Sequence, residues 1–185
     1  MKVRKSKVNL LLVIFGASLF LNACCFRDGD VIDSYSLTED ERSIMPYQND
    51  SLVQFRHSGG YLFTSQVTTS TFITGDQEHC EDYYVYENYT INVTSELPRL
   101  NMEFGLSSAF SNEDAILWVT VDRTPFFEIT PSPTPSLVIE GVIFDEVKTY
   151  MTDDGDFYIQ EILYNTTSGI LRINYKDETY AELVP

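Results

Sequence analysis

Histidine is almost missing from this chain, with only His57 and His79 in 185 residues. Sites that pair a histidine with a serine, a cysteine or a metal therefore have little to draw on. Basic residues are also scarce, 12 against 28 acidic ones. Four of the 12, Lys2, Arg4, Lys5 and Lys7, crowd at the start, so removing residues 1–23 leaves 8 against 28, a net charge of −20. Nucleic-acid binding depends on Lys and Arg neutralising phosphates, and such a surface excludes it. Anionic lipid headgroups would repel the same surface. There is no G-x-S-x-G elbow, no Walker loop and no G-x-G-x-x-G, which removes the strongest signs of hydrolase, nucleotide and dinucleotide chemistry. Long apolar runs are lacking too, with one exception.

That exception covers residues 8–21, apolar apart from Asn9 and Ser18. A helix needs about 20 residues to cross a hydrocarbon layer of about 30 Å. A short apolar stretch behind a basic head, ending in small residues, reads instead as a secretory signal. Leu21-Asn22-Ala23-Cys24 resembles the lipobox of bacterial lipoproteins. That resemblance implies cleavage before Cys24, a diacylglyceryl thioether on its sulfur and an acylated, palmitate-type amino terminus. Two or more chains anchor stably, at about 0.8 kcal/mol per buried CH₂. The expected organisation is a signal peptide (1–23), an acidic tether (24–35) and a single β-rich domain (36–185). The expected location is the envelope, lipid-anchored in the outer membrane on its periplasmic or surface face. "CCFRDGD", with Asp28 and Asp30, resembles the acidic stretch linked to surface export in Bacteroidota lipoproteins.

With Cys24 acylated, Cys25 and Cys80 remain. A bridge between them would contribute about 4 kcal/mol by restricting the unfolded chain. The alternative leaves Cys25 in the tether and Cys80 as a buried thiol.

Twelve Tyr and twelve Phe, with many Val, Ile and Thr, favour sheet over helix. "SLTEDERSIMPY" is the one helix signal, with Ser36 and Glu39 at capping-box spacing and Pro46 as its stop. "SLVQFRH", "SGG" and "YLFTSQVTTSTFI" read as strand, turn and strand. "YYVYENYTINVT" places Tyr83, Val85, Glu87, Tyr89, Ile91 and Val93 on one side, and Glu87 predicts a bulge. "LNMEFGLSS" and "AILWVTV" form the next pair. The prolines of "TPSPTPS" forbid a central strand, and residues 137–185 are too few for a separate core, so this stretch is a loop. Short connections then link "FYIQEILYN" and "ILRINYK", with Leu171, Ile173 and Tyr175 on one face. The expected fold class is mainly β, an antiparallel β-sandwich or β-meander with one short N-terminal helix. "GVIFDEVKTY…YIQEILYNTTSGILRINYKDETYAELV", with "LTEDERSIMPY…SLVQF" nearer the start, is similar to uncharacterised Bacteroidota lipoproteins. That resemblance implies a β-rich domain and no assigned activity.

"GDQEHCEDYY" gathers His79 and Cys80 among carboxylates, but adjacent residues of an extended chain face opposite ways, so no metal site is expected. "DDGD" (153–156) reads as an acidic turn with Gly155 at positive φ; calcium is the weaker reading, since the EF-hand frame is missing. Tyr83, Tyr84, Tyr86 and Tyr89 are candidate binding aromatics, against the alternative that they merely pack across strands. "DSL" resembles the Bacteroidota O-glycosylation sequon, which makes Ser51 the acceptor. No cofactor and no catalytic set are expected. The expected function is a membrane-anchored envelope lipoprotein with a structural or binding role and a protein or glycan partner. The alternative is a hydrolase of envelope or extracellular polymer, which requires His57 or His79 in a concave pocket within about 3 Å of a serine or carboxylate.

Overall fold

The computed structural model describes residues 30–75, 83–109, 114–129 and 135–185. Cys24, Cys25, His79 and Cys80 lie outside the described residues, so the lipobox, the Cys25–Cys80 pair and the His-Cys stretch do too. The chain divides into two units, one of which includes residues 30–34, 75 and 83–85 among those described. There the Tyr83 N–H donates to the Asp30 carbonyl at 3.0 Å. The other unit, Tyr35–Thr74 with Tyr86–Pro185, holds nearly everything else.

The elements in chain order begin with β1 (Val31–Tyr35), α1 (Glu39–Ser43), β2 (Leu52–His57), β3 (Leu62–Gly75), β4 (Tyr83–Ser95) and β5 (Leu100–Ser107). Then come β6 (Ile116–Val121), β7 (Thr124–Ile129), β8 (Leu137–Ile139), β9 (Val142–Phe144) and β10 (Lys148–Met151). The last three are β11 (Ile159–Asn165), β12 (Gly169–Tyr175) and β13 (Tyr180–Leu183). From β2 to β7 and from β10 to β13, each strand lies beside its predecessor in the chain, and β10 pairs with β7. The ring shuts where β13 pairs with β2, Ala181 opposite His57 and Leu183 opposite Phe55. The result is a closed up-and-down barrel of ten strands. This corrects the expected sandwich or open meander, while the mainly-β reading stands. Local hairpins look the same in all three; only the pairing of the first and last ring strands separates them.

Alternate side chains of the strands meet in one interior. Phe55, Ile91, Phe104, Tyr150, Ile162 and Tyr164 are fully buried there, and large rings fill the width a ten-stranded ring encloses. Outward positions are mixed: Gln54, Thr64, Gln66 and Glu103 are polar, whereas Leu52, Leu62, Ile116, Phe127 and Ile129 are apolar and exposed.

Several local expectations shift by one or two residues. The helix is capped by Thr38 rather than Ser36: the Glu41 N–H donates to Thr38 Oγ1 at 3.2 Å, and the Thr38 N–H donates to Glu41 Oε2 at 2.7 Å. Leu37 is buried and its N–H donates to Glu87 Oε2 at 3.0 Å, which holds the chain extended past Ser36. On the β5 side the strand is regular past Glu87: its carbonyl accepts the Ser108 N–H at 2.9 Å, and the β4–β5 ladder runs unbroken from Asn88 to Ser95. The Glu87 carboxylate is tolerated because it pairs with Arg42. The bulges lie between β11 and β12, where Gln160 and Leu171 are the extra residues. The second turns Leu171 away from Ile173 into a satellite core with Ile139, Phe144 and Val147. That core seats the β8–β9 hairpin, whose Glu140 also pairs with Arg56.

Candidate functional site at the hairpin end of the barrel

In an up-and-down barrel, alternate connections share an end. The connection from β11 to β12 lies at the end occupied by the helical segment. Leu37, Met45 and Tyr47 enter the core there. The Tyr164 hydroxyl donates to the Ile44 carbonyl at 2.6 Å, and the Ile170 N–H donates to the Tyr47 hydroxyl at 2.6 Å. Gly169 has φ +79°, and a Cβ on it would stand 2.3 Å from the Tyr47 ring. This end is stopped.

The opposite end collects the connections β2–β3, β4–β5, β6–β7, β10–β11 and β12–β13, and it is open. A cleft of about 490 Å³ is lined there by His57, Tyr61, Tyr158 and Tyr175 among others. His57 stacks on Tyr61 with ring centres 4.5 Å apart and tilts toward Tyr175 at 5.7 Å. Its Nδ1 accepts the Gly59 N–H at 3.0 Å, so the turn itself orients the ring. The Tyr175 hydroxyl is buried with no hydrogen-bond partner. Burial, then Tyr61 and Asp177, push its pKa up to about 12. On the rim, Lys176 pairs with Asp156 at 2.5 Å, which lowers the Asp156 carboxyl below its usual range. Asp177 accepts from the Thr179 hydroxyl at 2.5 Å and N–H at 3.1 Å, and these bonds lower it likewise.

Tyr158 also lines a second cleft of about 680 Å³, with Arg99, Asn101, Asp122 and Arg123. The Tyr158 hydroxyl donates to Asp122 Oδ2 at 2.9 Å. Burial first, and then that bond, raise its pKa well above the ordinary tyrosine value. Asp122 (φ +46°) and Arg123 (φ +72°) form the two-residue turn between Val121 and Thr124. Such turns favour Asn-Gly or Asp-Gly, so Asp122 suits its place while Arg123 is held there against backbone preference.

The residues expected to act lie elsewhere. Tyr89 packs against the core under the Arg42 guanidinium, 5.6 Å from its ring centre. Tyr86 stacks on Tyr35 at 5.6 Å. Tyr83 and Tyr84 are half-buried in the smaller unit. Ser51 is half-buried at the start of β2, its carbonyl accepting the Val67 N–H. The acidic turn 153–156 is built by Asp154, whose Oδ1 accepts the Asp156 N–H at 3.0 Å. Gly155 does not take positive φ there; the Asp154 side chain closes the turn without it. Among the described residues, no group of three or more His, Cys, Asp or Glu is placed to hold a metal. Nor is any helix among them long and apolar enough to cross a membrane.

Arg99, Arg123, Tyr61, Tyr158 and Tyr175 escaped the sequence reading. The available signal was topological: every second turn of a meander shares an end, and these residues sit in or beside alternate turns. No family model, curated protein or solved structure matches this chain. The class is therefore set by the coordinates: a small up-and-down barrel with a solid apolar interior, stopped at one end and concave at the other.

Proposed function

We propose that this chain is an envelope lipoprotein, tied to the outer membrane through Cys24, whose barrel binds a partner, protein or glycan, at its open end. The observation that carries the binding role is the contrast between the two ends. The chain joins the barrel unit at Tyr35, whose carbonyl accepts the Ser108 hydroxyl at 2.8 Å, at the end stopped by α1. The net charge of −20 after residue 23 supports a domain held by lipid and standing off anionic headgroups.

The hydrolase alternative has half of what it needs. His57 does line a concave cleft. However, its Nδ1 is taken by the Gly59 N–H, and the nearby Asp177 is engaged by Thr179. Among the described residues no serine or carboxylate hydrogen-bonds the ring, so binding is the better reading.

Mass spectrometry of the protein extracted from membranes tests the anchor. The expected N-terminal peptide begins at Cys24 and carries acyl mass, and Cys24→Ala abolishes both processing and detergent-phase partitioning. A free Cys24 thiol, or an intact Met1, overturns the envelope assignment.

A further inference from the structure

Positive charge is rare in this protein, and most of it among the described residues is neutralised at short range. Seven basic residues lie among those described, and five form ion pairs: Arg42–Glu87, Arg56–Glu140, Lys148–Glu128, Arg172–Glu182 and Lys176–Asp156. The other two, Arg99 and Arg123, form no ion pair among the described residues. They come from different turns, yet both line the 680 Å³ cleft at the open end. The one carboxylate beside them, Asp122, accepts the Tyr158 hydroxyl. A strongly acidic chain thus keeps the two guanidinium groups that form no ion pair among the described residues in one concavity. A planar guanidinium binds carboxylate, sulfate or phosphate through parallel N–H bonds.

Tyr158 forms a wall common to this cleft and to the ring-lined one. On the far side, Tyr61 (47% exposed) stacks on His57, so flat ring faces and cationic charge share one continuous surface. Asp156 and Asp177 on the rim present carboxylate oxygens, which accept hydroxyl donors and repel a second anion. The combination fits a ligand with a localised negative group, flat apolar faces and many hydroxyls.

We infer that the open end takes an acidic saccharide: Arg99 and Arg123 clasp its carboxylate or sulfate, and Tyr158, Tyr61 and His57 receive its sugar faces. An acidic peptide fits less well, because it brings few hydroxyls for Asp156 and Asp177 and no sugar face for the rings. The inference rests on the binding role proposed above and adds the ligand class.

The test uses the intact acylated protein in detergent micelles, titrated calorimetrically. The probes are trigalacturonate and a sulfated chondroitin tetrasaccharide, with carboxyl-reduced or desulfated counterparts, and tri-glutamate as the peptide. At least one acidic sugar is expected to bind, with affinity falling about tenfold or more on neutralising the sugar and in each of Arg99→Gln and Arg123→Gln. Raised salt should weaken it. Both arginines are exposed and unpaired, so these variants should melt as the parent does. Binding of neither acidic sugar, or equal binding of a neutralised one, overturns the inference. Tighter binding of tri-glutamate overturns it in favour of a peptide partner. Sugar binding lost in Tyr158→Ala but kept in both arginine variants removes the cationic clamp and leaves the open end as the binding site. Only loss of acyl mass on Cys24 bears on the envelope role, so the two failures are told apart.

Discussion

At the scale of single residues, one close contact on the outer face of the barrel shows how tightly neighbouring strands pack. Gly105 of β5 sits opposite Trp118 of β6, and a Cβ built on it would lie 1.9 Å from the indole ring. The neighbour in the way is a rigid ring, not the end of a flexible chain. Gly105→Ala is therefore expected to destabilise the barrel by about 1–3 kcal/mol, the usual cost of overpacking. Trp118 is the sole tryptophan, so its fluorescence in urea reports the change directly. An unchanged midpoint and emission maximum would show that the indole swings clear at no cost. None of this was visible from the chain alone. Phe55, Phe63 and Val67 are buried at positions that keep the strand period of "SLVQFRH" and "YLFTSQV", and period two is local. Which glycine faces which indole depends on register between strands, and "LNMEFGLSS" and "AILWVTV" do not carry it.

At the scale of elements, the five-residue helix α1 is too short to hold itself together. It stands on its cap and on the burial of Leu37, Met45 and Tyr47 around it. The Glu41 carboxyl, bonded by the Thr38 N–H and hydroxyl, titrates below its ordinary range. A lowered folded pKa means stability that is fully present above the unfolded value and is lost as pH falls through the folded one. Thr38→Ala should thus cost about 1 kcal/mol near neutrality, with the gap to the parent narrowing once the pH drops below about 4. Thermal melts of both proteins at several pH values check this, and a gap that stays constant down to pH 2 would separate the cap from Glu41 titration. The sequence showed that a capped turn lay between residues 36 and 47, because Ser, Thr and Glu in that spacing are a chemical signature. It missed the true cap by two residues because the deciding contact, the Leu37 N–H on Glu87, comes from a strand far along the chain. The bulges at Gln160 and Leu171 were illegible for the same reason: a bulge is a mismatch between two strands, and neither strand displays it alone.

At the scale of the whole molecule, a single pairing turns a row of hairpins into a barrel. β13 is four residues long, yet it is the bridge between β12 and β2. Ala181 on it is fully buried between strands carrying Ile173 and His57 in register, and the Val184 N–H donates to the Gln54 carbonyl at 2.9 Å. Removing residues 180–185 would take one short strand from the ring but create two open edges, β2 and β12, each with a free row of backbone donors and acceptors. Open edges pair with whatever edge is nearest, including those of a second copy. The interior would also gain a seam through which water reaches Phe55 and Ile173, both fully buried in the closed ring. The truncated chain is therefore expected to lose its single cooperative melt and to sediment as dimers or larger species in the ultracentrifuge, although its circular dichroism keeps a strong sheet signal. Acidic self-repulsion works against that association, so added salt should enlarge the species formed. The intact chain, whose ten-strand ring has no open edge, should be indifferent to salt in this respect. A truncated protein that stays monomeric and melts as one unit would mean that the pairing of β13 with β2 decorates a sheet system already stable without it, and the contrast between a stopped end and an open end would lose its physical basis.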